Sequence, residues 1–228
     1  MLILKRINFT GFLLARQWTP LFDYPTPRPP ALPAHDVDCT RQEIASQISC
    51  LVEPELAAVF QNLQQITVVV NEHYHSGTSV PQIPMQLALE YAHSCLLGLK
   101  SRPLGTLGEY LRLGMMAFLA TTICMPGSAF PYYCRSLAAD FRCARIAARS
   151  STAALPEAIN TWFTVVFSMM SPATTDRAGE CADWMVELSR RELSWDEIRR
   201  QLKSVMWLDP FHDAMGKKAF ALLERSFS

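Results

Sequence analysis

The sequence predicts an all-α protein: a single irregular domain of packed helices, with a proline-rich irregular segment near its N-terminus. Three observations carry that expectation. A hydroxyl residue followed three positions later by Glu, the pattern of a helix-capping box, occurs at 40–43 (TRQE), 106–109 (TLGE) and 194–197 (SWDE). Apolar residues recur at three- and four-residue spacings, as in Leu107, Tyr110, Leu111, Gly114, Met115, Phe118 and Leu119. Only one run, Ile66 to Val70, is β-branched enough to look like a strand.

Taken in chain order, "MLILKRINFTGFLLARQW" reads as a short helix docking on the domain. Its apolar runs are broken by Lys5, Arg6 and Arg16, and no small-residue cleavage site follows. The prolines of 19–38 remove backbone donors and disfavour helix before them, so that stretch is extended or irregular. The division expected is 1–39 for this N-terminal part and 40–228 for the helical domain. Thr40 is the predicted N-cap, with Glu43 completing its box ahead of Ile44, Ile48, Leu51 and Val52.

Pro54 restarts a helix through "ELAAVFQNLQQITVVV", and "NEHYH" (71–75) reads as a polar loop leading to Ser76 and Gly77. Pro131 and Pro156 sit where helices should start, because a first turn does not need their missing N–H. The segment "EAINTWFTVVFSMM" is apolar nearly all round and is therefore the expected central helix. After the box at Ser194 and Glu197 comes a stripe of Trp195, Ile198, Leu202, Val205 and Met206. "LDP" (208–210) should end that helix, since Asp before Pro disfavours the α conformation. His212 and Asp213 then fall in the first turn of a last helix, whose apolar face includes Met215, Ala219, Phe220 and Leu223.

Composition narrows the function classes. Half of the 228 residues are hydrophobic and 18% are charged, with Lys+Arg equal to Asp+Glu at 21 each. Such a chain can bury a sizeable core, and its zero net charge gives no global preference for nucleic acid or acidic membranes. The charge is segregated, however: 31–99 holds seven acids and one base, and 100–150 seven bases and two acids. The seven cysteines (39, 50, 95, 124, 134, 143 and 181) are irregularly spaced without a CxxC pair, as expected of free thiols in a reducing nuclear or cytoplasmic setting. No apolar run has the length of a membrane span.

The residues that could carry chemistry have structural readings beside the functional ones. Asp196, Asp209, His212 and Asp213 suggest a metal cluster, but an HD pair needs further ligands from other helices, and each of them has a structural place at a helix start or end; two helices and their turn are expected there. His73 and His75 would share a face only in an extended chain, with Glu72 or His93 as further ligands, and no metal is implied. Cys134 and Cys143 have no evident His partner in sequence. The patterns GxSxG, P-loop, GxGxxG and HExxH are absent, and no cofactor is implied. Arg135, Arg142, Arg145 and Arg149 line one helical face opposite an apolar one of Tyr133, Leu137, Phe141, Ala144 and Ala148. Such a row either pairs with acids elsewhere, the 31–99 region included, or docks an acidic protein, a nucleic-acid backbone or a phosphorylated ligand.

The segments "EYLRLGMMAFLATTICMPGSAFPYYCRSL", "WFTVVFSMM" and "SWDEIRRQLKSVMWLDPFHDAMGKKAFALLE" resemble, in that order, the C-terminal regulatory region of fungal zinc-cluster transcription factors, the fungal-specific transcription factor domain. The likeness covers roughly 40–224, and its most specific part is Ser194, Trp195, Asp196, Glu197, Leu202, Trp207, Asp209, His212, Asp213 and Gly216. It implies an all-helical domain of nuclear proteins that regulate metabolic or secondary-metabolite genes. The family's six-cysteine zinc module does not appear in this sequence, so direct sequence-specific DNA binding is not expected. The reading that follows is a transcription-regulator-like module that binds a protein partner or small effector, self-association into a homodimer being compatible with it. The alternative is an enzyme of secondary metabolism on the same scaffold, isomerising or cyclising an apolar metabolite. Its polar groups would come from His73, His75, His93, Glu90 or Tyr110.

Overall fold

The computed structural model describes residues 38–80, 82–122, 129–149, 155–170 and 193–225. The N-terminal stretch read as a docked helix and proline-rich segment lies outside them, as do the side chains of Tyr133, Arg149 and Leu223. Among the described residues there are eight helices and no strand: α1 (Cys39–Leu51), α2 (Pro54–His75), α3 (Gln82–Leu99), α4 (Thr106–Thr122), α5 (Ala129–Arg149), α6 (Glu157–Met170), α7 (Trp195–Val205) and α8 (Asp209–Arg225). The all-α expectation holds.

The helices surround one continuous apolar core. α4 packs on α3, α5 and α6; α6 packs on α4, α7 and α8; α2 packs on α1, α3 and α8. Trp162, Phe163, Phe118, Phe60 and Trp207 are fully buried in it. As expected from its all-round apolar sequence, α6 is central, and the Trp162 indole donates to the Met206 carbonyl at 2.8 Å, tying α6 to the α7–α8 connection. Gly114 of α4 is where Phe163 of α6 approaches the helix backbone: a Cβ there would lie 1.8 Å from the ring.

Local structure corrects three sequence expectations. The N-cap of α1 is Asp38, not Thr40: its carboxylate accepts from the Thr40 N–H at 3.2 Å, while Glu43 accepts from Gln47 instead. The helix from Pro54 does run through the β-branched stretch 66–70, as expected: Ile66, Thr67, Val69 and Val70 are all buried in α2, and burial outweighs a weak propensity. "NEHYH" is not a loop but the last turn of α2. The Gly77 N–H donates to the Tyr74 carbonyl and the Thr78 N–H to the His73 carbonyl, a Schellman ending with Gly77 at φ +68°. "LDP" does not end α7 but opens α8. α7 ends at Val205, Leu208 accepts from the N–H groups of Phe211 and His212, and Pro210 sits in the first turn.

The box at Ser194 forms in full: its hydroxyl accepts from the Glu197 N–H, and Glu197 accepts from the Ser194 N–H at 2.8 Å. Thr106 opens α4 at the predicted place, but Glu109 is drawn away from the helix start to Arg112. That pairing, with the Leu96 carbonyl at 3.2 Å, satisfies a guanidinium that is otherwise buried.

Candidate functional site

The junction of α2, α7 and α8 concentrates polar side chains around one buried carboxylate. Asp209, first residue of α8, has a fully buried side chain. Its Oδ2 accepts from His75 Nε2 at 2.7 Å and from Lys203 Nζ at 2.7 Å, with Arg199 Nη2 at 3.2 Å. Its backbone N–H donates to Asn71 Oδ1 at 2.9 Å, and Asn71 returns a bond to the Trp207 carbonyl at 2.8 Å. Local sequence explains the convergence. His75 ends α2, Lys203 lies in the last turn of α7, and the three-residue connection 206–208 brings Asp209 to both.

Arg199 bridges to the neighbouring acid as well, donating from Nε and Nη2 to Asp213 at 2.9 and 2.7 Å. The Trp207 indole adds a bond to Asp213 at 2.8 Å. Burial alone would raise the Asp213 carboxyl; the Arg199 fork and the indole outweigh it and hold the group below its ordinary value. Arg41 reaches Thr67 from α1 at 3.1 Å. Its guanidinium is pulled down from its ordinary value by burial, against the pull of Asp38 and Asp209.

His212, the other half of the HD pair, belongs to the core. It is fully buried, and burial pushes its imidazole down to about 3. Its Nδ1 accepts from the Leu208 N–H at 3.3 Å, which places the ring proton on Nε2, facing the Thr121 and Thr122 hydroxyls at 3.3 and 3.4 Å. It is a neutral strut between α8 and α4.

The three acids and one histidine of the suspected metal cluster are thus divided among the first turn of α7 (Asp196), a cation-bound node (Asp209, Asp213) and a core strut (His212). Groups of three or more His, Cys, Asp or Glu able to hold a metal are absent among the described residues. α7 and α8 are the expected pair of helices, but their backbones pack chiefly on α6. Side chains join them: the Trp195 ring lies 6.3 Å from Trp207 and 5.9 Å from Phe220, closing over Gly216.

The groups considered for an enzyme are spread over three helices, α2, α3 and α4. Tyr110 is in the core, its ring 4.6 Å from Phe141 and 4.4 Å from Phe163. His93 is buried in α3 and pushed down to about 3 by desolvation. Glu90 accepts from its own-helix neighbour Gln86. His73 and His75 are two residues apart on a helix and so diverge: the first meets Thr78 Oγ1 at 2.7 Å, the second Asp209. Burial pushes the Cys134 thiol up to about 11, which removes it as a nucleophile at neutral pH.

The arginine row lies on α5, which is seated on α4 by Cys134, Leu137 and Phe141, the last stacked at 3.5 Å on Phe167 of α6. Arg135 and Arg142 are exposed, Arg145 is half-buried, and Ile146 beside them is 63% exposed. Nothing in the residue pattern except the lone Ile between arginines hinted at that apolar neighbour. The Asp209 node was hidden from sequence reasoning because its donors lie as far as 134 positions away. Of all described helices, none is long and apolar enough to cross a membrane. No family model, curated protein or solved structure matches this chain.

Proposed function

We propose that this chain is a transcription-regulator-like helical domain, akin to the fungal-specific transcription factor domain it resembles, that docks an acidic protein partner. The observation that supports the reading is the outward face of α5. It presents Arg135 and Arg142 to solvent together with Ile146, while the opposite stripe is buried against α4. Arginine beside an exposed aliphatic side chain is the composition of an interface anchor, since both contribute more when a partner excludes water. α5 carries four arginines and one acid in a chain of zero net charge, which favours an acidic partner over a basic one. Such a domain would act in the nucleus, on metabolic gene expression.

The test is to fuse the whole chain to a heterologous DNA-binding domain and measure a reporter in fungal cells. A change of several-fold over the DNA-binding domain alone is expected, reduced at least fivefold by the double variant Arg135→Glu, Arg142→Glu. A folded, expressed fusion with no effect on the reporter sinks the proposal.

A further inference from the structure

α1 packs chiefly on α2 and α7 and buries Arg41, Ile44 and Ile48. A helix turns about 100° per residue, so the stripe opposite those three is Cys39, Glu43, Ser46 and Cys50, all of them exposed. Both cysteines are free thiols, and Cys39 Sγ donates to the adjacent Asp38 carboxylate at 3.5 Å, a contact within its own turn. The two stand eleven residues apart, three turns plus about 20°, and therefore share one line of the helix at a separation of roughly 16 Å. That is more than twice the span of a disulfide, so they cannot bond to each other. Two copies of α1 laid antiparallel about a two-fold axis between residues 44 and 45 bring Cys39 of each copy level with Cys50 of the other. We propose that the outer stripe of α1 is a self-association face, on which a second copy of this chain is locked by two Cys39–Cys50 disulfides when the surroundings turn oxidising.

Charge selects the antiparallel alignment. Glu43 is the charged residue of the stripe, and in this pairing it lies level with Ser46 of the second copy. A parallel pairing would set Asp38 and Glu43 against their own counterparts and place the two helix dipoles side by side in the same sense, both of which are unfavourable. The exposed large hydrophobic side chains are Tyr74, Leu87, Ile146 and Met215, none of them on α1, so the bridges rather than apolar burial hold this pair. The dimer then follows the redox poise, as thiols of reducing compartments do when they act as sensors.

Each bridge forms by exchange with a low-molecular-weight disulfide such as oxidised glutathione. One thiolate of a facing pair attacks it and releases one glutathione thiolate. The other thiolate attacks the protein sulfur of the mixed disulfide and releases the second. Two protein thiols are oxidised, one disulfide is reduced to two thiols, and the protons of the protein thiols pass to the released thiolates.

The experiment incubates the full chain with oxidised glutathione, alkylates residual thiols, and reads covalent dimer by denaturing electrophoresis without reductant, with peptide mass spectrometry of the bridge. A dimer carrying a Cys39–Cys50 peptide pair and reversed by dithiothreitol is expected, and Cys143→Ser, which removes the exposed thiol of α5, should form it equally well. Cys39→Ser and Cys50→Ser should each lose the dimer at least fivefold, because either change breaks both bridges. An equimolar mixture of those two variants should recover about half of it, since each supplies the thiol the other lacks and forms one bridge. Full dimer in either single variant overturns the pairing, as a parallel or unrelated contact would give. A mixture that stays monomeric, or glutathione adducts at Cys39 and Cys50 without a bridge, overturns the self-association face.

Discussion

At the scale of single residues, the firmest consequence concerns histidines that fold in the neutral form. His212 and His93 both have imidazoles pushed down to about 3 by burial, against an ordinary 6.5. A folded value below the unfolded one means that the unfolded chain binds more protons. Stability from these groups is therefore complete above pH 6.5 and is lost as pH falls from there toward 3. Each should cost about 2 kcal/mol by pH 5, at ~1.4 kcal/mol per pH unit. Glu55, Glu197 and Asp213, all held below their ordinary values, act in the same direction in the carboxylate range further down. Urea unfolding at pH 7.5 and pH 5 checks this: the midpoint should drop, and His212→Gln should flatten the drop. A midpoint that does not move would mean these rings are not buried neutral in solution.

At the scale of elements, glycine separates contact from propensity. Gly114 and Gly98 are both helical, yet a methyl group at Gly114 enters the Phe163 ring and one at Gly98 meets nothing within 4 Å. Gly114→Ala should therefore destabilise by ~3 kcal/mol or more through forced repacking, whereas Gly98→Ala should stabilise by ~0.5–1 kcal/mol through helix propensity. Equal effects in chemical denaturation would show that α4 and α6 do not approach as described. The same contrast explains what the sequence discloses. Period and capping boxes located α4, α6 and α7 because those signals are local, and the SWDE box at Ser194 forms in full. The end of α2 was misread because "NEHYH" is polar and leads to Ser76 and Gly77; the contacts that hold it as a last helical turn, such as His75 with Asp209, lie far away in sequence. Glu109 matched a capping pattern, but the pattern cannot reveal that Arg112 nearby has a stronger need for it.

For the molecule as a whole, the question is whether the polar node at Asp209 is a separate device or part of one folding unit. The node joins α2, α7 and α8, while Trp162 joins α6 to the same connection and His212 joins α8 to α4. The apolar core runs through all of them without a break. Removing Asp209 leaves His75, Lys203 and Arg199 without their shared acceptor. Their side chains are 56%, 31% and 29% exposed, so water can take up part of the loss. Asp209→Ala should cost about 3 kcal/mol, at the low end for a broken buried pair. Lys203→Met should cost under ~1 kcal/mol, because Asp209 keeps two of its three donors and the lost pair is partly solvated. Because the core is continuous, the loss should be shared: in Asp209→Ala, the tryptophan-fluorescence and far-ultraviolet circular-dichroism transitions should shift to lower denaturant together and still coincide. If the fluorescence transition shifts and most of the helical signal stays behind, α7 and α8 form an independent unit, and their joint burial with α2 and α6 is not what holds the fold.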